Sequence, residues 1–148
     1  MSASQPRTAL DSSVLIAALR DTEAHHVECL PLLARKQLSV AAHALAETFS
    51  MLSSGQGRQY LAPQLVAASL KLSVLPRVTI TELTTDDYQQ AIGEAHALGV
   101  RGGAIYDYLH LKAARKAQAK RLYTLNVSDF RAFARPGDPA ILHPADAP

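Results

Sequence analysis

The stretch "RTALDSSVLIAALRD", Arg7 to Asp21, decides how the rest of the chain reads. Thr8 to Leu10 is a short apolar run of the kind that makes a buried strand, and Val14 to Leu19 is a run of helix formers. Between them, at the seam, stands one carboxylate, Asp11. Ser12 or Ser13 offers a hydroxyl to cap the helix. A strand that passes straight into a helix opens a β–α unit, so the first question is whether the pattern recurs.

It recurs along the chain. "EAHHVECLPLLARK" has helical spacing disturbed by Pro31, and "QLSVAA" reads as a second strand. "HALAETFSMLSS" is helical and stops at the breaker "GQG". Pro63 opens "PQLVAASLKLSVL", a further helix. "RVTITEL" alternates apolar and polar residues and is rich in β-branched types, so it reads as a strand. "TTDDYQQAIGEAHALG" is a helix with Thr or Asp as cap and Gly99 as stop. "RGGAIYDYLHLKAARKAQA" is a long Ala-rich helix after a glycine pair. "RLYTL" is a strand, "VSDFRAFA" a short helix and "PAILHP" a closing strand, with the "PADAP" tail expected to fray. Strands alternating with helices imply an α/β fold whose parallel sheet is covered on both faces.

The totals fit one domain over residues 1–148, with no internal repeat. Hydrophobic residues make up 48 %, enough for a real core. The single cysteine, Cys29, excludes an intrachain disulfide and fits a reducing compartment. No basic start followed by a long apolar run marks a secretory signal, and no apolar run of about 18 residues predicts a membrane span. A soluble, cytoplasmic protein is expected. The net charge is only +2, but it is unevenly spread. Arg101 to Arg135 holds eight basic residues and two acids, Asp107 and Asp129. That cationic third is either a solvated face or a polyanion-binding surface.

Two acids stand alone. Glu47 is the only one between Cys29 and Thr81, inside "ALAETFSML"; Asp107 is the only one between Ala95 and Ser128, inside "GGAIYDYLHL". A carboxylate among apolar neighbours is costly without a metal or cationic partner. Each acid also has a plain structural reading: Asp11 as a helix cap, Asp107 at a helix N-terminus, Asp129 in a first turn, Glu47 on a solvated stripe. In a parallel sheet, however, Asp11 and "LNVSD" lie at the carboxyl ends of strands, where ligands bind. Four carboxylates converging there would suit Mg²⁺ or Mn²⁺ rather than zinc. The six histidines are scattered, and the adjacent pair His25 and His26 reads as surface. No Walker or GxGxxG loop is present, and Ser12 and Ser13 have no triad partners.

"LDSSVLIAAL", "ALAETFSML", "GGAIYDYLHLKAA" and "YTLNVSDFRAF" occur in the order and spacing of PIN-domain ribonucleases. The chain resembles the VapC toxins of type II toxin–antitoxin pairs over residues 8 to 143. The resemblance implies a PIN-like three-layer α/β/α fold with a short, mainly parallel sheet. It carries Asp11, Glu47 and Asp107 onto the family's acidic, metal-binding positions. The fourth position falls on Asp129, with Asn126 beside it as the alternative. Ser13 and Thr124 take small polar positions that orient a carboxylate or water. The implied activity is Mg²⁺- or Mn²⁺-dependent hydrolysis of RNA, with Arg101, Lys112, Arg115 and Lys116 available to guide the phosphates. The implied partners are a cognate antitoxin protein and a second copy in a homodimer, with no membrane. The rival readings are a non-catalytic RNA- or protein-binding module and a phosphatase with Asp11 as nucleophile. The phosphatase would want a second Asp where Ser13 stands.

Overall fold

The computed structural model describes residues 7–54 and 60–148. The opening stretch folds as its pattern requires. Strand β1 is Thr8–Leu10, fully buried, and helix α1 is Ser12–Leu19. Of the caps the sequence offered, it is Asp11 rather than Ser12 or Ser13 that serves: its side chain accepts the Val14 N–H at 3.2 Å. Ser12 and Ser13 give their hydroxyls to carboxylates instead. A carboxylate is the stronger acceptor for an orphan N–H at a helix start.

The chain continues through α2 (His26–Cys29), a 3₁₀ segment (Leu30–Ala34), β2 (Leu38–Ala41) and α3 (His43–Ser53). Pro31 explains the change of helix type. It has no N–H to give and its ring crowds the preceding turn, so the α-helix cannot run on. The expected "GQG" breaker lies outside the described residues. Next come α4 (Pro63–Ser69), which passes into a π-helical turn (Leu70–Val74), then β3 (Val78–Thr81) and α5 (Thr85–Leu98). Thr84 and Asp87 form a reciprocal capping box at the start of α5, and Gly99 ends it in the left-handed region at φ 69°. The last elements are α6 (Ala104–Lys116), β4 (Arg121–Tyr123), α7 (Val127–Phe133) and β5 (Ala140–Leu142). The tail does not fray: Pro144 is buried in a final 3₁₀ turn, and Arg35 donates to the Pro148 carbonyl at 2.6 Å.

The five strands form one sheet in the order β3-β2-β1-β4-β5, and every pairing is parallel. Side-chain alternation then builds two cores. Leu10 and Tyr123 point into one, with Val14, Leu15 and Val40; Ala9 and Leu122 point into the other, with Tyr108, Leu111 and Phe130. Helices thus cover both faces, giving three layers. No helix among the described residues is long and apolar enough to cross a membrane. From β1 the sheet grows one way through β2 and β3, then the other way through β4 and β5. The reversal between β1 and β4 is the topological switch point, and the crevice at its carboxyl edge is where α/β sheets take ligands.

Candidate active site

Asp11 leaves β1 at that switch point. It is 1 % exposed and held on several sides. Ser13 Oγ donates to one carboxylate oxygen at 2.6 Å, and Thr124 Oγ1, just past β4, donates to the other at 2.6 Å. The Asp11 N–H in turn reaches the Tyr123 carbonyl at 3.3 Å. Ser13 Oγ also accepts the Leu125 N–H at 3.0 Å, and Thr124 Oγ1 accepts that of Asn126 at 3.0 Å. Both small polar residues therefore clamp the two strand ends together around one carboxylate. Burial pushes the Asp11 carboxyl above its ordinary range, against the opposing pull of His110 and of these hydrogen bonds.

Asp107 lies in the first turn of α6 and Asp129 in the first turn of α7. With Asp11 capping α1, three carboxylates sit at three helix N-termini, where the helix dipole favours negative charge. The plain structural reading of each acid and the site reading thus describe the same placement. Asp107 is pushed up to about 6, first by burial, then by the charges of Asp11, Glu47 and Asp129, with His110 pulling the other way. Asp11, Glu47 and Asp129 are each close enough to act on Asp107. A cleft of about 310 Å³ opens beside them, lined by Val100, Gly103, Asp107, Asp129 and Phe133 among others. Asp129 and Asn126 are both exposed, but of the two only Asp129 lines that cleft. Gly102, at φ 56°, makes the tight turn that starts α6 beside it.

Glu47, on α3, is bound differently. His110 Nε2 donates to its Oε1 at 2.7 Å, His43 Nε2 stands 3.4 Å from the same oxygen, and Ser12 donates as well. Burial alone would raise the Glu47 carboxyl, yet it lies below its ordinary range because His110, His43 and Ser12 favour the charged form. His43 is pushed down to about 4, by burial and then by His110, so it is neutral at pH 7. The site reading from sequence missed both histidines. Their signal was helical spacing: His43 and Glu47 are i, i+4, and Asp107 and His110 are i, i+3. His25 and His26 also differ from expectation. Both are half-buried, His26 Nδ1 lying 2.8 Å from the Ala17 carbonyl and His25 edge-on to His143.

The predicted phosphate-guiding cations fare unequally. Arg115 makes a two-pronged pair with Asp138, at 2.6 and 2.9 Å, and also reaches Tyr108 Oη at 3.1 Å. Lys116 binds Asp87 at 2.8 Å and the Glu82 carbonyl at 2.9 Å, and Lys112 binds Gln90 at 2.8 Å. Arg101 is exposed, next to the cleft residues Val100 and Gly103, with no side-chain partner among the described residues. Cys29 is buried with its thiol pushed up to about 12, first by burial, and so supplies no nucleophile.

A PIN-domain family model matches residues 8–136, from the start of β1 to beyond α7. The chain belongs to the PIN-domain family. Among PIN relatives, it is 29 % identical over 116 residues to Ribonuclease VapC27 of Mycobacterium tuberculosis, covering 78 % of this chain and 82 % of that one. Two solved PIN structures show the same fold. VapC20 of Mycobacterium tuberculosis, described as a Sarcin-Ricin loop cleaving toxin, superposes with a TM-score of 0.68 at 22 % identity, covering 89 % of this chain and 99 % of that one. VapBC2 of Rickettsia felis, bound to a DNA fragment from its promoter, gives 0.64 at 18 % identity, covering 92 % and 97 %. PIN-domain nucleases generally use a divalent metal. Asp11, Asp107 and Asp129 carry hard oxygen donors of the kind such an ion takes, and Asp107 is raised first by burial and then by neighbouring negative charge that a cation would offset.

Proposed function

We propose that this chain is a Mg²⁺- or Mn²⁺-dependent endoribonuclease that acts as the toxin of a toxin–antitoxin pair. One observation carries the reading: Asp107, at the carboxyl edge of the sheet, is raised to about 6, first by burial and then by the charges of Asp11, Glu47 and Asp129, which come from three other elements. The names of the VapC27 and VapC20 relatives support the ribonuclease activity, and the VapBC2 complex supports an antitoxin partner.

A divalent ion bound there would supply positive charge for the phosphoryl oxygens and a more acidic water. The chain's own residues do the positioning. Asp11 is the most rigid ligand, since Ser13, Thr124 and the Val14 N–H fix both its oxygens. Asp107 and Asp129 line the cleft and would hold the ion from that side. Glu47 is steered by His110 and His43 and completes the acid group from the α3 side. Arg101, at the rim, is the cation placed to neutralise an incoming phosphate. The chain also leaves large apolar side chains in solvent, Val27 at 79 % and Leu72 at 71 % exposure, and an antitoxin or second copy would cover such surface.

Incubation of purified protein with RNA tests the reading. Cleavage is expected with Mg²⁺ or Mn²⁺, none with EDTA, and none for Asp11→Asn. Cleavage that continues in chelator overturns the metal mechanism. RNA that is bound but left whole makes the chain a binding module instead.

A further inference from the structure

The structure assigns a second metal site to this chain: His43, Glu47 and His110 form a three-ligand pocket for a borderline transition ion, Zn²⁺ by preference. One ligand atom from each of the three residues already lies within 4.8 Å of the other two. Glu47 Oε1 lies 2.7 Å from His110 Nε2 and 3.4 Å from His43 Nε2. Ligand bonds of 2.0–2.1 Å at a tetrahedral ion give ligand–ligand edges of about 3.3 Å. The His43–Glu47 edge already has that length, the His110–Glu47 edge must open by roughly half an ångström, and His43 Nε2 must give up its 3.2 Å contact with the Tyr106 carbonyl.

Local structure supplies the convergence. His43 and Glu47 are one helical turn apart on α3, so they share a face, and α6 brings His110 across to it. The rings of His43 and His110 lie 4.1 Å apart, centroid to centroid. His110 is 2 % exposed, and its Nε2 is directed at Glu47, 2.7 Å away. Its other ring nitrogen, Nδ1, is buried without a hydrogen-bond partner. Two nitrogens and one oxygen favour Zn²⁺ over Mg²⁺, which takes oxygen ligands and keeps its waters. Three protein ligands leave a fourth position for water.

This site overlaps the nuclease reading, in which His43 and His110 steer the Glu47 carboxylate. Where that reading holds, zinc takes Glu47 from the acid group and lowers Mg²⁺-supported cleavage. The test itself uses no cleavage, so the two ideas fail separately. The metal-stripped full chain is titrated with Zn²⁺ by calorimetry, and with Co²⁺ by visible absorption. One Zn²⁺ per chain is expected, with intense four-coordinate cobalt bands. His43→Gln should weaken Zn²⁺ binding at least tenfold and erase those bands, whereas Asp11→Asn should change affinity less than threefold. Equal affinity in His43→Gln and the parent chain overturns the site. So does loss of binding in Asp11→Asn with His43→Gln unaffected, which puts the ion among the acids. His110 is too buried for a clean variant, so nitrogen-15 spectra of the unaltered protein give the second measurement. Zinc should move the imidazole signals of His43 and His110; movement confined to His25, His26, His96 or His143 overturns the assignment.

Discussion

The two ends of α6 carry opposite charge in opposite circumstances. At its start, Asp107 is pushed up to about 6, first by burial and then by the charges of Asp11, Glu47 and Asp129, which outweigh the pull of His110. At its end, Arg115 and Lys116 are satisfied by Asp138 and Asp87, and the helix dipole favours them there as well. The chain had cations to spare within one helix and did not bring them to the acids. Geometry forbids it in part: Asp107 and Lys112 are five residues apart and so lie on different faces. The difference separates charge used to hold the fold from charge left open for a ligand. A basic stretch in a sequence does not by itself reveal an available basic surface.

Removing the unsatisfied end should have the largest effect. Asp107→Asn is expected to lower RNA cleavage by about 10³-fold, or about 4 kcal/mol of barrier, in single-turnover assays. The same change should stabilise the protein in EDTA, with a sign fixed by the pKa. The folded carboxyl titrates near 6 against an ordinary 3.8. Its contribution to stability is therefore full below about 3.8 and lost as pH rises through about 6. Asp107→Asn removes that loss, so its advantage in thermal melts should be on the order of 2 kcal/mol at pH 7 and vanish near pH 4. A variant equally stable at both pH values would mean that neither burial nor the neighbouring acids raise the Asp107 carboxyl.

Breaking the satisfied end should cost fold rather than chemistry. Arg115→Ala leaves Asp138, only 6 % exposed, without its two-pronged partner. A loss of about 2–3 kcal/mol is expected in urea unfolding, with cleavage per folded molecule unchanged. A drop in activity larger than the drop in folded fraction would return Arg115 to the substrate path.

The smallest effect sharpens the contrast most. On an Asp11→Asn background, RNA binding is measured across a salt series. Arg101→Ala should flatten the slope of log affinity against log salt by about 0.7, one phosphate contact. The double change Lys112→Ala and Lys116→Ala should leave the slope nearly unaltered, since both lysines are held within the chain. The reverse result would place RNA along the α5–α6 face.

Much of this was legible in the sequence because it is local. Burial periodicity shows where strands and helices alternate, and Pro31, Thr84 and Gly99 mark breaks and caps through backbone chemistry that needs no tertiary partner. The isolation of Glu47 and Asp107 among apolar residues is likewise a property of the sequence, and the PIN motifs extend it to Asp11 and Asp129. The cap of α1 was left open between neighbours, Asp11 or a serine, and it fell to Asp11 because Ser12 and Ser13 found carboxylates to serve. What the sequence could not determine is who meets whom at a distance. His110 lies 63 residues from Glu47, Asp138 lies 23 from Arg115, and Asp87 lies 29 from Lys116. No short-range pattern encodes those separations. They follow from parallel crossovers that return each strand's carboxyl end to one edge and lay α6 across α3 and α5. Only that packing decided that the histidines belong to the site and that the basic turns of α6 are already spoken for.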